Sequence, residues 1–475
     1  MLNVEMWERF SYYGMRAILL FFITDEIASG GLGISPNTGA VILAIYGAAV
    51  YLLSIPGGIF ADRIIGPWRS ALYGGVVIMT GHLCLSTPIV PLAWAGIVLV
   101  ATGTGFIKPN LSTIVGGLYD QGDPRRDTGF QLFYMSINVG AFASPLVTGW
   151  LRAHYGYHAG FAAAAIGMAL ALVAFVYGRS KLSVFAFDVP SPFQEDDRRK
   201  LLLVSLGAAA AIALAAGALY GFLGSLSDTI AYTTFVIALG ASIAYFVIMF
   251  RSPKVTGPER THMRAYISLW VGAVLFWMIY EQASGKMAIF SKSHTDGTTP
   301  FGWVISPEAY QSVSPATIVI LAPLVGWFFS RRLGRAIPTV TKFATAVLII
   351  AVSALMMGYG FGTWTGGESL APWWFLAVVF IVQTVGELFL SPVGLSTTTA
   401  LAPKSFASQA MVLWLLASAT GQGLAAVVIA NTRHIGDATY YYGLGAITIV
   451  VAIAIFAAAP WTQRQMADIS AVSTE

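Results

Sequence analysis

The chain is a succession of apolar runs about 20 residues long, separated by short polar segments. That length decides the fold class. About 20 apolar residues cross a bilayer as a helix, whereas a barrel strand needs roughly ten residues of alternating character. With no water in the hydrocarbon, every backbone N–H and C=O must be paired within the segment, and a helix achieves this alone. Composition agrees: of 475 residues, 57% are hydrophobic and 10% charged, with a mean hydropathy of +0.73. A soluble domain carries about 25% charged residues. The sequence therefore describes an all-α polytopic membrane protein.

Fourteen spans are expected, at about 2–24, 38–61, 70–88, 91–117, 128–151, 158–178, 201–222, 229–250, 264–290, 308–330, 338–361, 372–400, 407–431 and 439–461. Charges interrupt the first run early, so it reads as a retained span and not as a cleavable signal peptide. With the N-terminus in the cytoplasm, nineteen of the 26 Lys and Arg fall in cytoplasmic segments and three (Arg152, Lys292, Arg433) in outer loops. That asymmetry follows the positive-inside rule and places both termini inside.

Two linkers rich in proline and charge, 179–200 and 251–262, flank spans seven and eight. The only acid of that hairpin is Asp228, at its outer turn. We read the hairpin as an insertion between two six-helix bundles. The expected organisation is an N-terminal bundle (1–178), linkers with the inserted hairpin (179–262; hairpin 201–250), a C-terminal bundle (263–463) and a cytoplasmic tail (464–475). Two such bundles moving around a central site are a recurrent transporter plan.

Chemistry in such a chain resides in its intramembrane charges. Each costs about 2.5 to 3.5 kcal/mol on insertion scales. The first span, in "VEMWERFSYYGMRAILLFF" (residues 4–22), carries Glu5, Glu8, Arg9 and Arg16. At about 100° per residue, these four and Tyr12 and Tyr13 share an arc of about 140°. Such a face must point into the protein. The competing reading is that these groups only pair among themselves to hold helices together. Lys108 lies in "GTGFIKPN", where Gly103 and Gly105 permit close helix approach and Pro109 disturbs the backbone. Its competing reading is a lysine snorkelling to the interface.

Glu281 in "FWMIYEQASGK" and Glu387 in "QTVGELFLSPVG" have no base nearby in sequence. Burial penalises the charged form of a lone carboxyl, so it can exchange its charge for a proton near neutral pH. Lys286, nearer the outer end, reads as interfacial. The N-terminal half thus supplies cations and the C-terminal half carboxylates. A ligand with a carboxylate at one end and an ammonium at the other would bridge them. For Trp277 and Trp414, plain packing is an equal reading.

Other classes find no support. No cluster of basic residues suits nucleic acid, and the single Cys84 can form no internal disulfide. There is no plausible catalytic triad, H-E-x-x-H site or phosphate loop, so an enzyme is not expected and neither is a metal.

"GGIFADRIIGPWRS" (57–70) has the pattern G-x-x-x-D-R-x-x-G and resembles the loop signature of the major facilitator superfamily. "EMWERFSYYG" matches E-x-x-E-R-F-x-Y-Y-G, the first-span motif of the proton-dependent oligopeptide transporters, a branch of that superfamily. "FYMSINVGA" (133–141) is similar to their fifth-span motif. "GFIKPN", "EQAS", "GELFLSPVGL" and "MVLWLLAS" follow in the expected order.

The resemblance implies a major facilitator fold of two six-helix bundles plus the inserted hairpin. It also implies import of di- and tripeptides, coupled to protons, across the bacterial inner membrane, with no cofactor beyond the coupling ion. It assigns proton coupling to Glu5, Glu8, Arg9 and Lys108, with Glu281 as a second proton site. It places the peptide carboxylate on Arg16 and Lys108 and the ammonium on Glu387. Tyr12, Tyr13, Tyr51, Asn138, Trp277, Trp414 and Ser418 would line the pocket.

Three positions depart from the family pattern. Four residues precede Glu5 where the family carries roughly another turn or more of helix. Ser314 stands where the family usually has an asparagine that helps hold the peptide N-terminus. Thr104 stands where asparagine is common. The remaining alternative is a proton-coupled carrier of another small solute on the same fold: a drug, nitrate or an amino acid. A monomer among membrane lipids is the expected state.

Overall fold

The computed structural model describes residues 2–116, 125–182, 186–190, 192, 195–364 and 369–472. Helices dominate: α1 (Leu2–Thr24), α2 (Pro36–Phe60), α3 (Pro67–Leu85), α4 (Val90–Gly116), α5 (Arg125–Tyr155), α6 (Tyr157–Tyr177), α7 (Glu195–Leu223) and α8 (Leu226–Arg251). There follow α9 (Gly257–Tyr280), α10 (Lys286–Ser293), α11 (Val313–Ser330), α12 (Arg332–Ala336), α13 (Thr339–Trp364), α14 (Trp373–Leu401), α15 (Ala407–Asn431) and α16 (Asp437–Val472). Two short strands, β1 (Thr295–Asp296) and β2 (Ala371–Pro372), pair in parallel.

Among the described residues, twelve helical segments are long and apolar enough to cross a membrane. The other two expected spans are helices of suitable length, α1 with 23 residues and α3 with 19. α1 falls short in apolarity through its own Glu5, Glu8, Arg9 and Arg16, and α3 through Arg69, His82 and its glycines. One expected span is not continuous. The ninth, expected over 264–290, breaks into α9 and α10 around a 3-10 turn at Glu281–Ser284.

Two compact units divide the chain, Met1–Thr234 and Phe235–Glu475, and the boundary falls within α8. In the first unit, α1 packs against α5 and α6, and α3 against α4. Small residues bring these helices together. A Cβ at Gly57 of α2 would collide with the Gly105 carbonyl of α4, and one at Gly103 would come within 2.5 Å of the Gly74 carbonyl of α3. Such contacts let backbones approach where no hydrophobic force between helices is available. Polar bonds add register. Thr148 of α5 donates to the Gly14 carbonyl (3.1 Å), and Ser11 of α1 bonds His82 of α3 (2.8 Å).

The loop signature folds tightly. α2 continues as a π-turn over Ala61–Ile65, and Gly66 reverses the chain with φ +83°. A side chain there would be strained, and its Cβ would approach the Phe187 carbonyl at 2.8 Å. Arg179 lies over the rings of Trp68 (5.0 Å) and Phe187 (5.4 Å), fastening the segment after α6 to the start of α3.

In the second unit, α13 packs against α16 and α14, and α9 against α15. The indole of Trp270 donates to the Leu413 carbonyl (2.8 Å), and Thr398 of α14 to the Tyr266 hydroxyl of α9 (2.9 Å). α9 begins at a capping box, with Thr256 and Glu259 satisfying each other's backbone N–H groups.

Candidate functional site

In the first unit the charged face of α1 is buried: Glu5 is 2% exposed, Glu8 1%, Arg9 7% and Arg16 9%. Arg9 Nε lies 2.8 Å from Glu5 Oε1 and 2.8 Å from Glu8 Oε2, so one guanidinium serves both carboxylates. The spacing explains half of this. Glu5 and Arg9 are four residues apart, one turn of helix, where side chains meet. Arg9 also lies 5.9 Å from the Tyr12 ring, and Tyr12 meets Tyr13 edge to face at 5.2 Å.

Lys108 does not snorkel. Its ammonium lies 3.6 Å from the ring centroid of Tyr51 on α2 and within electrostatic reach of Glu8. Such a cation–π contact gains strength when desolvated. Tyr13 is within electrostatic reach of Arg9, Tyr51 and Arg16. The structure thus gathers Glu5, Glu8, Arg9, Tyr12, Tyr13, Arg16, Tyr51 and Lys108 into one neighbourhood.

Asn138 is buried on α5, but its amide donates to the Tyr134 carbonyl of its own helix (2.9 Å). It stands two residues before Gly140, where any Cβ would strike the Met6 carbonyl of α1. Tyr46 of α2 was not anticipated. It is 3% exposed and within electrostatic reach of Tyr12, Arg16 and Glu8. Its only signal in sequence is being the first polar-tipped residue in the aliphatic run "AVILAIY".

In the second unit, Tyr280, the last residue of α9, donates its hydroxyl to Glu387 of α14. Glu281 follows at the break of the ninth span, within electrostatic reach of Glu387. Trp277 meets Tyr280 edge to face at 5.5 Å, and its Cβ packs on Gly421 of α15. Trp414 packs the outer edge of its ring against Gly394 of α14, where a Cβ would run into it. Ser418, one turn beyond Trp414, accepts from Gln422 (3.4 Å). Ser314 is half-buried in the first turn of α11. Tyr280 was missed because nothing local links it to a carboxylate 107 residues away.

Lys286 corrects an expectation. It does not face outward to lipid or water: it is 3% exposed and pairs with Asp437 at the start of α16. It lies close to the outer end of its span, but the α16 terminus covers it.

Comparisons with known proteins agree in one direction. A family model described as the POT family matches residues 69–450. A di-/tripeptide transporter of Lactococcus lactis subsp. cremoris is 37% identical over 464 residues, covering 95% of this chain and 92% of that protein. Among solved structures, a peptide transporter POT in complex with sulfate superposes with a TM-score of 0.90 at 38% identity, covering 98% of this chain and 94% of that one. A POT family transporter in complex with 5-aminolevulinic acid gives a TM-score of 0.90 at 35% identity over 97% and 95% of the two chains.

Proposed function

Because this chain belongs to the POT family, we propose that it is a proton-coupled symporter that imports di- and tripeptides by alternating access. The observation that carries the reading is the buried network in which Arg9 serves both Glu5 and Glu8, with Lys108 in reach of Glu8. A network with two acids and one shared base has a position for one extra proton. Protonating Glu8 or Glu5 neutralises one of the anions competing for Arg9 and changes what holds α1 in place.

The assignments follow from charge and position. Arg16 and Lys108 supply positive charge for the peptide carboxylate. Glu387, oriented by Tyr280, supplies negative charge for the peptide ammonium. Glu281, within electrostatic reach of Glu387, is a second proton site, close to where the peptide ammonium binds. Tyr12, Tyr13, Tyr51, Asn138, Trp277, Ser314, Trp414 and Ser418 complete the contacts to the peptide. The protein sits in the bacterial inner membrane with both termini in the cytoplasm and works as a monomer. Protons are the coupling ion, and no other cofactor is needed.

A second reading has a specific motive. 5-Aminolevulinic acid, bound by a relative of the same fold, carries an amine and a carboxylate as a peptide does. A small zwitterion without a peptide bond could use the same two charge sets. One experiment separates the readings: uptake into liposomes under an imposed pH gradient, with a competition panel of an amino acid, 5-aminolevulinic acid and di-, tri- and tetra-alanine. Competition by di- and trialanine alone supports the peptide reading. Competition only by the non-peptide zwitterions overturns it.

A further inference from the structure

The break in the ninth span leaves α10 short. Gly285 departs from helical geometry (φ −100°, ψ −118°), and the helix resumes at Lys286 for eight residues. A helix of that length is about 12 Å long and gains little from its own hydrogen bonds. Its position has to be fixed from outside.

An ion pair does this at its start and a backbone hydrogen bond at its far end. At the start of α10, the Lys286 ammonium donates to Asp437, the first residue of α16, and lies 4.9 Å from the Tyr440 ring. Asp437 stands in the first turn of α16, where the helix N-terminus favours an anion. At the far end, the Asp437 charge also acts on His294, the residue that caps α10. The His294 carbonyl accepts from Ala371 N–H (2.8 Å), which joins that end to β2. Between the ends, Met287, Ala288 and Phe290 are buried.

Stability alone does not account for charges here. The Lys286 side chain is 4% exposed and that of Asp437 33%, so the pair is partly buried; such a pair adds little net stability, and the best attested use of a buried one is to fix one register among several. The pair stands directly after the 3-10 turn that carries Glu281.

We propose that Lys286 and Asp437 are positioning residues: their pair latches α10 to the start of α16 and so holds the break that presents Glu281. This rests on the symport reading above, in which Glu281 handles a proton.

The test uses the full chain in liposomes with dialanine. Three readouts are compared in wild type, Lys286→Met/Asp437→Asn and Lys286→Arg: uptake driven by a pH gradient, counterflow without a gradient, and amide hydrogen exchange of 286–293. The double variant carries no unpaired buried charge, so it is the one expected to fold. Its driven uptake should fall about tenfold or more while counterflow stays within about twofold. Exchange in α10 should rise about tenfold with α13 unchanged, and Lys286→Arg should restore both. A purely structural role would lower uptake and counterflow together. Parallel loss with unchanged α10 exchange, or wild-type behaviour in all three readouts, overturns the proposal. If wild type carries no dialanine, the symport reading fails, and the exchange measurement alone still decides the latch.

Discussion

Replacing Arg9 by methionine tests the arrangement of the first unit most directly. The side chains of Glu5 and Glu8 are 3% and 1% exposed, and each has a carboxylate oxygen 2.8 Å from Arg9 Nε. Methionine keeps most of the apolar stem and removes the charge. Removing one partner of a buried ion pair costs about 3–5 kcal/mol, because the other is left as an uncompensated buried charge. Here two carboxylates lose the same partner, so the effect belongs in that range and not in the 0–1 kcal/mol of an exposed pair. At about 1.4 kcal/mol per factor of ten, the folded-to-unfolded ratio should drop by roughly a hundred- to a few thousand-fold. The assay is reversible unfolding in mixed micelles followed by tryptophan fluorescence. The neutral variant Glu5→Gln/Glu8→Gln/Arg9→Met should recover at least about half of the loss, because amides cost less to bury than carboxylates. Proton-driven uptake should be absent in both. A loss below about 1 kcal/mol for Arg9→Met would mean that solvent screens the network. A neutral variant as unstable as Arg9→Met would locate the effect in packing of the arginine stem. Either result refutes the reasoning.

Further outcomes are expected. Lys108→Ala should abolish gradient-driven uptake and spare counterflow; normal uphill transport would remove Lys108 from coupling. Glu387→Gln should weaken binding of peptides with a free amine and not of N-acetylated ones, with Tyr280→Phe giving a smaller loss of the same kind in a competition assay. Gly57→Ala should destabilise by about 1–3 kcal/mol in the micelle assay, since its Cβ would meet the backbone of Gly105 and Phe106 and no flexible side chain. Burial holds His294 below the ordinary imidazole pKa, partly offset by the Asp437 charge. The unfolded chain therefore takes up that proton first, and stability falls as pH drops below about 6.5. His294→Gln should flatten this acid limb of the thermal midpoint against pH.

Much of this was legible from hydropathy. The helices match the expected spans closely where apolar runs end in turn residues, as for α6 and α15. They run past the expected ends where polar residues continue the helix. α7 begins in "EDDRRK" and α16 continues through "TQRQMADISAV". Hydropathy marks the edge of the hydrocarbon and not the end of a helix. The start of α9 could have been read from Thr256-Gly-Pro-Glu259, a capping box with proline in the first turn. The break at Glu281–Ser284 was hidden because apolar periodicity resumes beyond Gly285.

The site divides the same way. The Glu5–Arg9 contact follows from one helical turn and needs no tertiary knowledge. Lys108 over Tyr51, Tyr280 on Glu387 and Lys286 on Asp437 join separate helices, and nothing within either segment points to the other. Lys286 was misread for this reason. A lysine near a span's outer end looks interfacial until the start of another helix is found covering it.

The charged face of α1 also bears on how the chain is made. A first span with four ionisable groups is a poor passenger for a lipid bilayer, at about 2.5 to 3.5 kcal/mol for each central charge. Its own ion pairs neutralise part of that load as soon as the helix forms. Further shelter comes from Tyr46 and Tyr51 of α2, from Lys108 of α4, and from α5 and α6, the last of which ends at Tyr177. α1 can therefore settle fully only after residues 25–177 have followed it. Until then the translocation machinery, and not lipid, has to serve as its surroundings.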